Sequence, residues 1–172
     1  MASPSNRAAN IIATNRFLTL ATADADGPWA APINYVIGPG HNLHFYSAQK
    51  SRHSLAIGDA TDVAAAIFNS QASSSDVDGL QLQAHCSLLR GDDLTDVYEH
   101  YFRVNFAAPE EREWWIRPIS AFDVGGMWAF YRLEIQNLWV IDFESMERER
   151  LDSRVDVDLA AMWARALVIL GC

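Results

Sequence analysis

The residue types best suited to chemistry fall in one short stretch, Tyr46-Ser47-Ala48-Gln49-Lys50-Ser51-Arg52-His53. A strand pattern over 42–47 ends in hydroxyl groups, a turn follows, and helical spacing runs from Ser51 to a stop at Gly58. The first turn of a helix has unpaired N–H groups and the positive end of the peptide dipoles. Lys50, Arg52 and His53 add cationic groups, and Ser47 and Ser51 add hydroxyl donors. A guanidinium can hold a phosphate through two parallel hydrogen bonds. Spacing alone leaves two readings. In one, the stretch is an anion site. In the other, Ser51 only caps the helix, and Lys50 and Arg52 are solvated.

The remainder of the chain bounds what such a site could serve. The 172 residues carry a formal net charge of −9, and half of them are hydrophobic. That length suits one domain, 1–172, with a real core. An acidic surface repels nucleic-acid phosphates and anionic lipid, so neither nucleic acid nor a membrane is an expected partner. An anionic ligand would then need its own local cluster of positive charge. Cys86 and Cys172 form no disulfide or zinc pattern. The first ten residues are polar, and no apolar run has the length of a membrane span, so a cytoplasmic setting is expected. His41 and His44 fall on opposite faces at strand period, as do His85 and Cys86, which argues against a metal site. There is no Ser-His-Asp order, no GxGxxG loop and no pair of catalytic carboxylates.

The elements that must position the stretch can be read from periodicity. A leading helix is predicted over 3–15, a strand over 16–22, a turn at Asp26-Gly27 and a strand over 29–37. Pro32 has no N–H to donate, so this second strand needs a bulge or a free edge there. A turn at 38–40, the strand over 42–47, the helix over 51–57, a buried strand over 62–69, a polar loop over 71–78 and a half-buried strand over 80–89 follow. An amphipathic helix spans 93–106, with Asp92 and Asp93 as cap and first-turn charge, and a short helix runs from Pro109 to Trp115. Residues 128–143 read as two strands turning near Gln136-Asn137, 147–150 as a solvated charged turn, and 156–170 as a final helix. Mostly short connections favour antiparallel pairing, hence a mainly β barrel with peripheral helices.

The order of three pieces, "TLATADADGPWAAPINYVI", "LHFYSAQKSRHSLAI" and "DVAAAIF", resembles the FMN-binding half of the pyridoxamine 5′-phosphate oxidase-like family. The resemblance implies an antiparallel split β-barrel of FMN-binding type with flanking helices. It implies that Ala31, Pro32, Ile33 and Asn34 lie along a flavin, and that Tyr46 and Ser47 flank the ribityl-phosphate. Ser51, Arg52 and His53 would meet the phosphate, His53 standing where lysine is commonest in the vitamin B6 enzymes. It further implies a homodimer with the cofactor at the subunit interface. Trp114, Trp115 and Trp128 could then cover a ring, or simply pack a core or an interface. Where the B6 oxidases carry basic residues and a glutamine, this chain has Ala31, Val36 and Gly79. The resemblance thus implies a flavin-dependent oxidoreductase acting on a small molecule rather than vitamin B6 oxidation itself. An F420-dependent reductase, a non-catalytic flavin- or haem-binding protein and a barrel without cofactor are the other readings. Haem would require an axial ligand such as His85 or His100.

Overall fold

A computed structural model of the chain describes residues 2–73 and 77–171. The predicted loop over 71–78 falls partly outside the described residues, as does Cys172. Helix α1 (Pro4–Thr14) begins at Ser3, whose side chain accepts the Asn6 N–H. Then come β1 (Phe17–Asp24), β2 (Gly27–Asn34), β3 (Val36–Gly38) and a 3-10 turn (Pro39–His41). Strand β4 (Asn42–Ala48) leads into α2 (Arg52–Ile57), followed by β5 (Ala60–Phe68) and β6 (Gly79–Leu88). Helices α3 (Gly91–Asn105) and α4 (Pro109–Trp115) and a second 3-10 turn (Ile119–Phe122) bridge to β7 (Trp128–Ile141). The chain then runs through α5 (Phe143–Glu149), β8 (Arg154–Asp156) and α6 (Leu159–Leu170).

The strands form one antiparallel sheet in the order β2-β1-β5-β6-β7-β4-β3, with β8 added on β7. The sheet curls into a half-barrel. Its two distant arms meet in one core, where Ala31 and Ile33 of β2 are buried with Leu43 and Phe45 of β4. Alternate residues of the central strands fill the same space, among them Ala65, Leu82, Cys86 and Leu133, and α1 and α6 close it with Ile12, Met162 and Trp163. The outer face of β4 and β7 carries a second, aromatic cluster beneath α3, built from Tyr101, Phe102, Phe122 and Phe130. Among the described residues no helix is long and apolar enough to cross a membrane.

Several predicted boundaries change. Residues 128–141 are one strand, not two. The Gln136-Asn137 pair is a bulge rather than a turn, because Gln83 pairs with Asn137 while Ala84 pairs with Ile135. The extra residue corrects the phase: Ile135 and Leu138, three apart, are both buried in the core, which an unbulged strand would forbid. The predicted strand over 29–37 breaks at Tyr35, whose N–H turns to the Arg16 carbonyl and whose hydroxyl donates to the Ile12 carbonyl. Residues 147–149 end α5 instead of forming a turn. The last helix starts at Leu159, because Asp156 belongs to β8 and the Asp158 side chain caps the helix. Arg90, not Asp92, occupies the cap position of α3; Asp92 and Asp93 do lie in its first turn, and Asp93 also pairs with Arg132.

His44 lies on the outer face of β4, fully buried, with neither ring nitrogen bonded. It packs against the chain at Gly38, where a Cβ would stand 2.5 Å from its Nδ1. Burial, with the positive charges of Arg132 and His100 and against the opposing Asp93, lowers its pKa from 6.5 to about 4. The folded protein therefore refuses a proton that the unfolded chain accepts, and stability falls as pH drops from 6.5 towards 4. Between pH 7 and pH 5 this group alone is expected to cost about 2 kcal/mol. Denaturant melts at both pH values should show the loss in the wild type and a shallower slope in His44→Phe. Equal slopes would show that His44 does not titrate in this way.

Candidate functional site

Strands β1 and β2 form a hairpin in register from Asp24–Gly27 at the turn to Phe17–Asn34 at the open end. β2 is an edge strand, so Pro32 occupies a position where a missing N–H disrupts no second ladder. At the open end a cleft of about 370 Å³ lies between Arg16, Phe17, Pro32, Ile33 and Asn34 on one side and Tyr46, Ser47, His53, Tyr101, Phe106 and Trp115 on the other. Small-molecule sites span roughly 300–1,000 Å³. Pro32, Ile33, Asn34, Tyr46, Ser47 and His53, predicted from sequence, thus share one cleft. By strand alternation the side chains of both Ala31 and Ile33 turn into the barrel core, where Ile33 still borders the cleft.

One end of the cleft is polar. His53 Nε2 lies 2.6 Å from Ser47 Oγ and 3.1 Å from Ser51 Oγ, and the two hydroxyl oxygens are 3.3 Å apart. Ser51 also caps α2, accepting the Ser54 N–H and donating to the Ser54 hydroxyl. Burial holds His53 below the ordinary imidazole pKa, which favours the neutral ring at pH 7. The cluster therefore offers hydroxyl and ring donors to an anion rather than a fixed full charge.

Arg52 does not line this cleft. Its Nε and Nη2 donate to the two Asp24 carboxylate oxygens at 3.1 and 3.0 Å, and Nη2 also donates to the Gly27 carbonyl at 3.2 Å. The guanidinium lies 4.9 Å from the centre of the Trp29 ring. This grip pins α2 to the hairpin turn, and the Arg52 hydrogen bond holds the Asp24 carboxyl below its usual pKa. Neither sequence reading described this arrangement: Ser51 does cap and Lys50 is exposed, but Arg52 is ion-paired.

The opposite end of β1 is about 23 Å away at ~3.3 Å per residue, and Arg16 immediately precedes it. Its Nη2 donates to the Asn105 carbonyl at 3.0 Å and to Asn105 Oδ1 at 3.1 Å, and among the described residues it has no carboxylate partner. Asn34 is fixed from both sides: its Nδ2 donates to the Arg16 carbonyl at 3.0 Å, and its Oδ1 accepts the Tyr101 hydroxyl at 2.8 Å. Burial raises the Tyr101 pKa, so that hydroxyl stays a donor. Of the three tryptophans singled out from sequence, Trp115 lines the cleft, Trp128 packs edge-on against Tyr46, and Trp114 points out, 76% exposed. Arg16, Phe17, Tyr101 and Phe106 had no sequence signal of their own. Arg16 read as a strand boundary, and Tyr101 as one more apolar position of an amphipathic helix. Among the described residues no group of three or more His, Cys, Asp or Glu could hold a metal.

No family model matches the chain, and no curated protein matches it. Its backbone, however, is similar to many solved structures. A haem-binding protein from Mycobacterium smegmatis superposes with a TM-score of 0.65 at 18% identity, over 95% of this chain and 61% of that one. This chain therefore spans less than two thirds of that protein. A FAD-binding protein from Mesorhizobium loti gives 0.55 at 14% identity, over 76% of this chain and 88% of that one. A Listeria innocua protein named for pyridoxamine 5′-phosphate oxidase gives 0.56 at 12% identity, over 79% and 96%. Identities this low speak for the fold. With its curled antiparallel sheet and flanking helices, the chain has the FMN-binding split-barrel fold, shared by pyridoxamine 5′-phosphate oxidase-like proteins and haem-binding relatives.

Proposed function

We propose that the chain binds FMN in the cleft beside Pro32–Asn34 and acts as a flavin-dependent oxidoreductase on a small molecule. The observation that carries this reading is the meeting, in one cleft, of an edge strand and the Ser47–His53 donor cluster. The donor set fits the cofactor. Pro32, Phe106 and Trp115 are flat or apolar surfaces for a ring, and Ser47 and His53 are donors for a phosphate. Ser51 and Arg52 lie between them in the chain. FMN, when bound, supplies the hydride and electron chemistry. The chain supplies the rest. Asn34 is locked by Arg16 and Tyr101, Tyr101 keeps its proton, and the aromatic side of the cleft excludes water.

A second reading, haem storage or sensing, is favoured by the haem-binding neighbours. The side chains speak against it. The imidazole lining the cleft, His53, has its Nε2 held by Ser47 and Ser51. Neither His85 nor His100 lines the cleft. A second copy of the chain is the proposed partner. Phe17 and Trp115, 61% and 46% exposed at the cleft rim, are apolar surface that a second subunit would cover.

Titration of the purified protein with FMN, F420 and haem tests the reading, with mass spectrometry of any chromophore released on denaturation. Saturable FMN binding with bleaching by a reduced nicotinamide is expected. Binding without bleaching would reduce the proposal to a flavin carrier. Tight haem binding without FMN binding would replace it with storage, and preference for F420 would replace the cofactor.

A further inference from the structure

We infer that Trp115, carried on the short arm α4, is the residue that grips the planar ring in the cleft. The inference rests on the flavin reading and adds what decides ring affinity. Helix α4 has no buried residue. Its polar ties run from Arg112 at mid-helix and to the carbonyl of Arg117 just beyond its end. Arg112 donates from Nε to the Phe106 carbonyl at 3.1 Å and from Nη2 to the Ala107 carbonyl at 3.4 Å, and Tyr98 donates to the Arg117 carbonyl at 2.6 Å. Between those ties its ring contact is Trp115 on Phe106, with centroids 5.8 Å apart and planes 13° from parallel. Phe106 in turn stacks on the buried Phe102 at 6.1 Å and 24°.

This geometry contrasts with that of the aromatic cluster beneath α3. There the angles are mixed: Tyr46 meets Tyr101, Phe122 and Trp128 at 73°, 90° and 83°, edge to face, but Phe102 and Phe130 at 33° and 57°, tilted. The Phe102–Phe106–Trp115 ladder is near parallel and leads out of that core into the cleft, so each rung presents a flat face to the next. The last rung, Trp115, is 46% exposed and has no further ring partner among the described residues. A planar heteroaromatic ring lying along Pro32–Asn34 meets this side of the cleft and would extend the ladder by one rung.

The test titrates wild type, Trp115→Ala, Trp115→Phe and Trp114→Ala with FMN and with riboflavin, reading both affinity and quenching of flavin fluorescence. Trp115→Ala is expected to weaken both flavins about tenfold and to remove most of the quenching, because the lost contact is to the ring and not the phosphate. Trp115→Phe should restore most of the affinity. Trp114→Ala, on the same arm but outside the cleft, should behave as wild type. Wild-type affinity and quenching in Trp115→Ala, or an equal loss in Trp114→Ala, would overturn the inference while leaving the flavin reading intact. Failure of the wild-type protein itself to bind either flavin would remove both.

Discussion

Truncating Tyr46 to alanine is expected to destabilise the fold by about 3 kcal/mol and to abolish ligand binding in the cleft. Tyr46 sits on the outer face of β4 between the sheet and α3. Its ring centroid lies 5.2 Å from Tyr101, 5.5 Å from Phe130, 5.6 Å from both Phe122 and Trp128, and 5.8 Å from Phe102. Alanine would leave a void surrounded by rigid rings that cannot all collapse inward. The same ring is a wall of the cleft, next to Ser47. Tyr46→Phe keeps the ring and should lie within about 0.5 kcal/mol of wild type in a denaturant melt. If the phenylalanine variant were as damaged as the alanine one, the hydroxyl and not the packing would be what matters.

Arg52→Ala is expected to weaken FMN binding by roughly 10- to 100-fold, the range for loss of a charge-assisted contact, and to leave riboflavin binding almost unchanged. Arg52 must leave Asp24 to reach a phosphate at Ser47 and Ser51. That step is cheap. The side chains of the pair are 34% and 27% exposed. An ion pair reached by solvent contributes little net stability, and a doubly charged phosphate competes well against one carboxylate. Asp24→Asn therefore acts in the opposite direction, removing the competitor and tightening FMN severalfold. Isothermal titration of both variants with FMN and riboflavin separates the cases. Equal losses for the two flavins in Arg52→Ala would mean that Arg52 only holds α2 against the hairpin turn.

The contrast between what the sequence disclosed and what it hid follows the distance over which each feature is decided. The β4–α2 junction was legible because its punctuation is local: Ser51 caps the helix, and Gly58 ends it at a positive φ of 60°. The hairpin was legible for the same reason, since Gly27 takes φ 102° next to Asp26. The bulge in β7 was not, because Gln136-Asn137 has the composition of a turn, and only pairing with β6, about fifty residues earlier in the chain, makes it a correction of phase. The Arg52–Asp24 pair joins residues 28 apart, and the Tyr101–Asn34 bond residues 67 apart. Helical periodicity places Tyr101 on the apolar face of α3 but says nothing of where its hydroxyl ends. The donor cluster around His53 fell within a single strand–turn–helix unit and was therefore visible. Trp115 was legible as one of three candidate ring covers, but the placing of Arg16 and Phe106 in the same cleft was not visible.

Crystals grown with FMN would examine the cleft directly. The ring is expected against Pro32–Asn34, with the phosphate within hydrogen-bond distance of Ser47 Oγ and His53 Nε2 and with Arg52 turned from Asp24 towards it. Density for the cofactor elsewhere on the barrel, or a phosphate remote from Ser47 and His53, would contradict the assignment of this cleft.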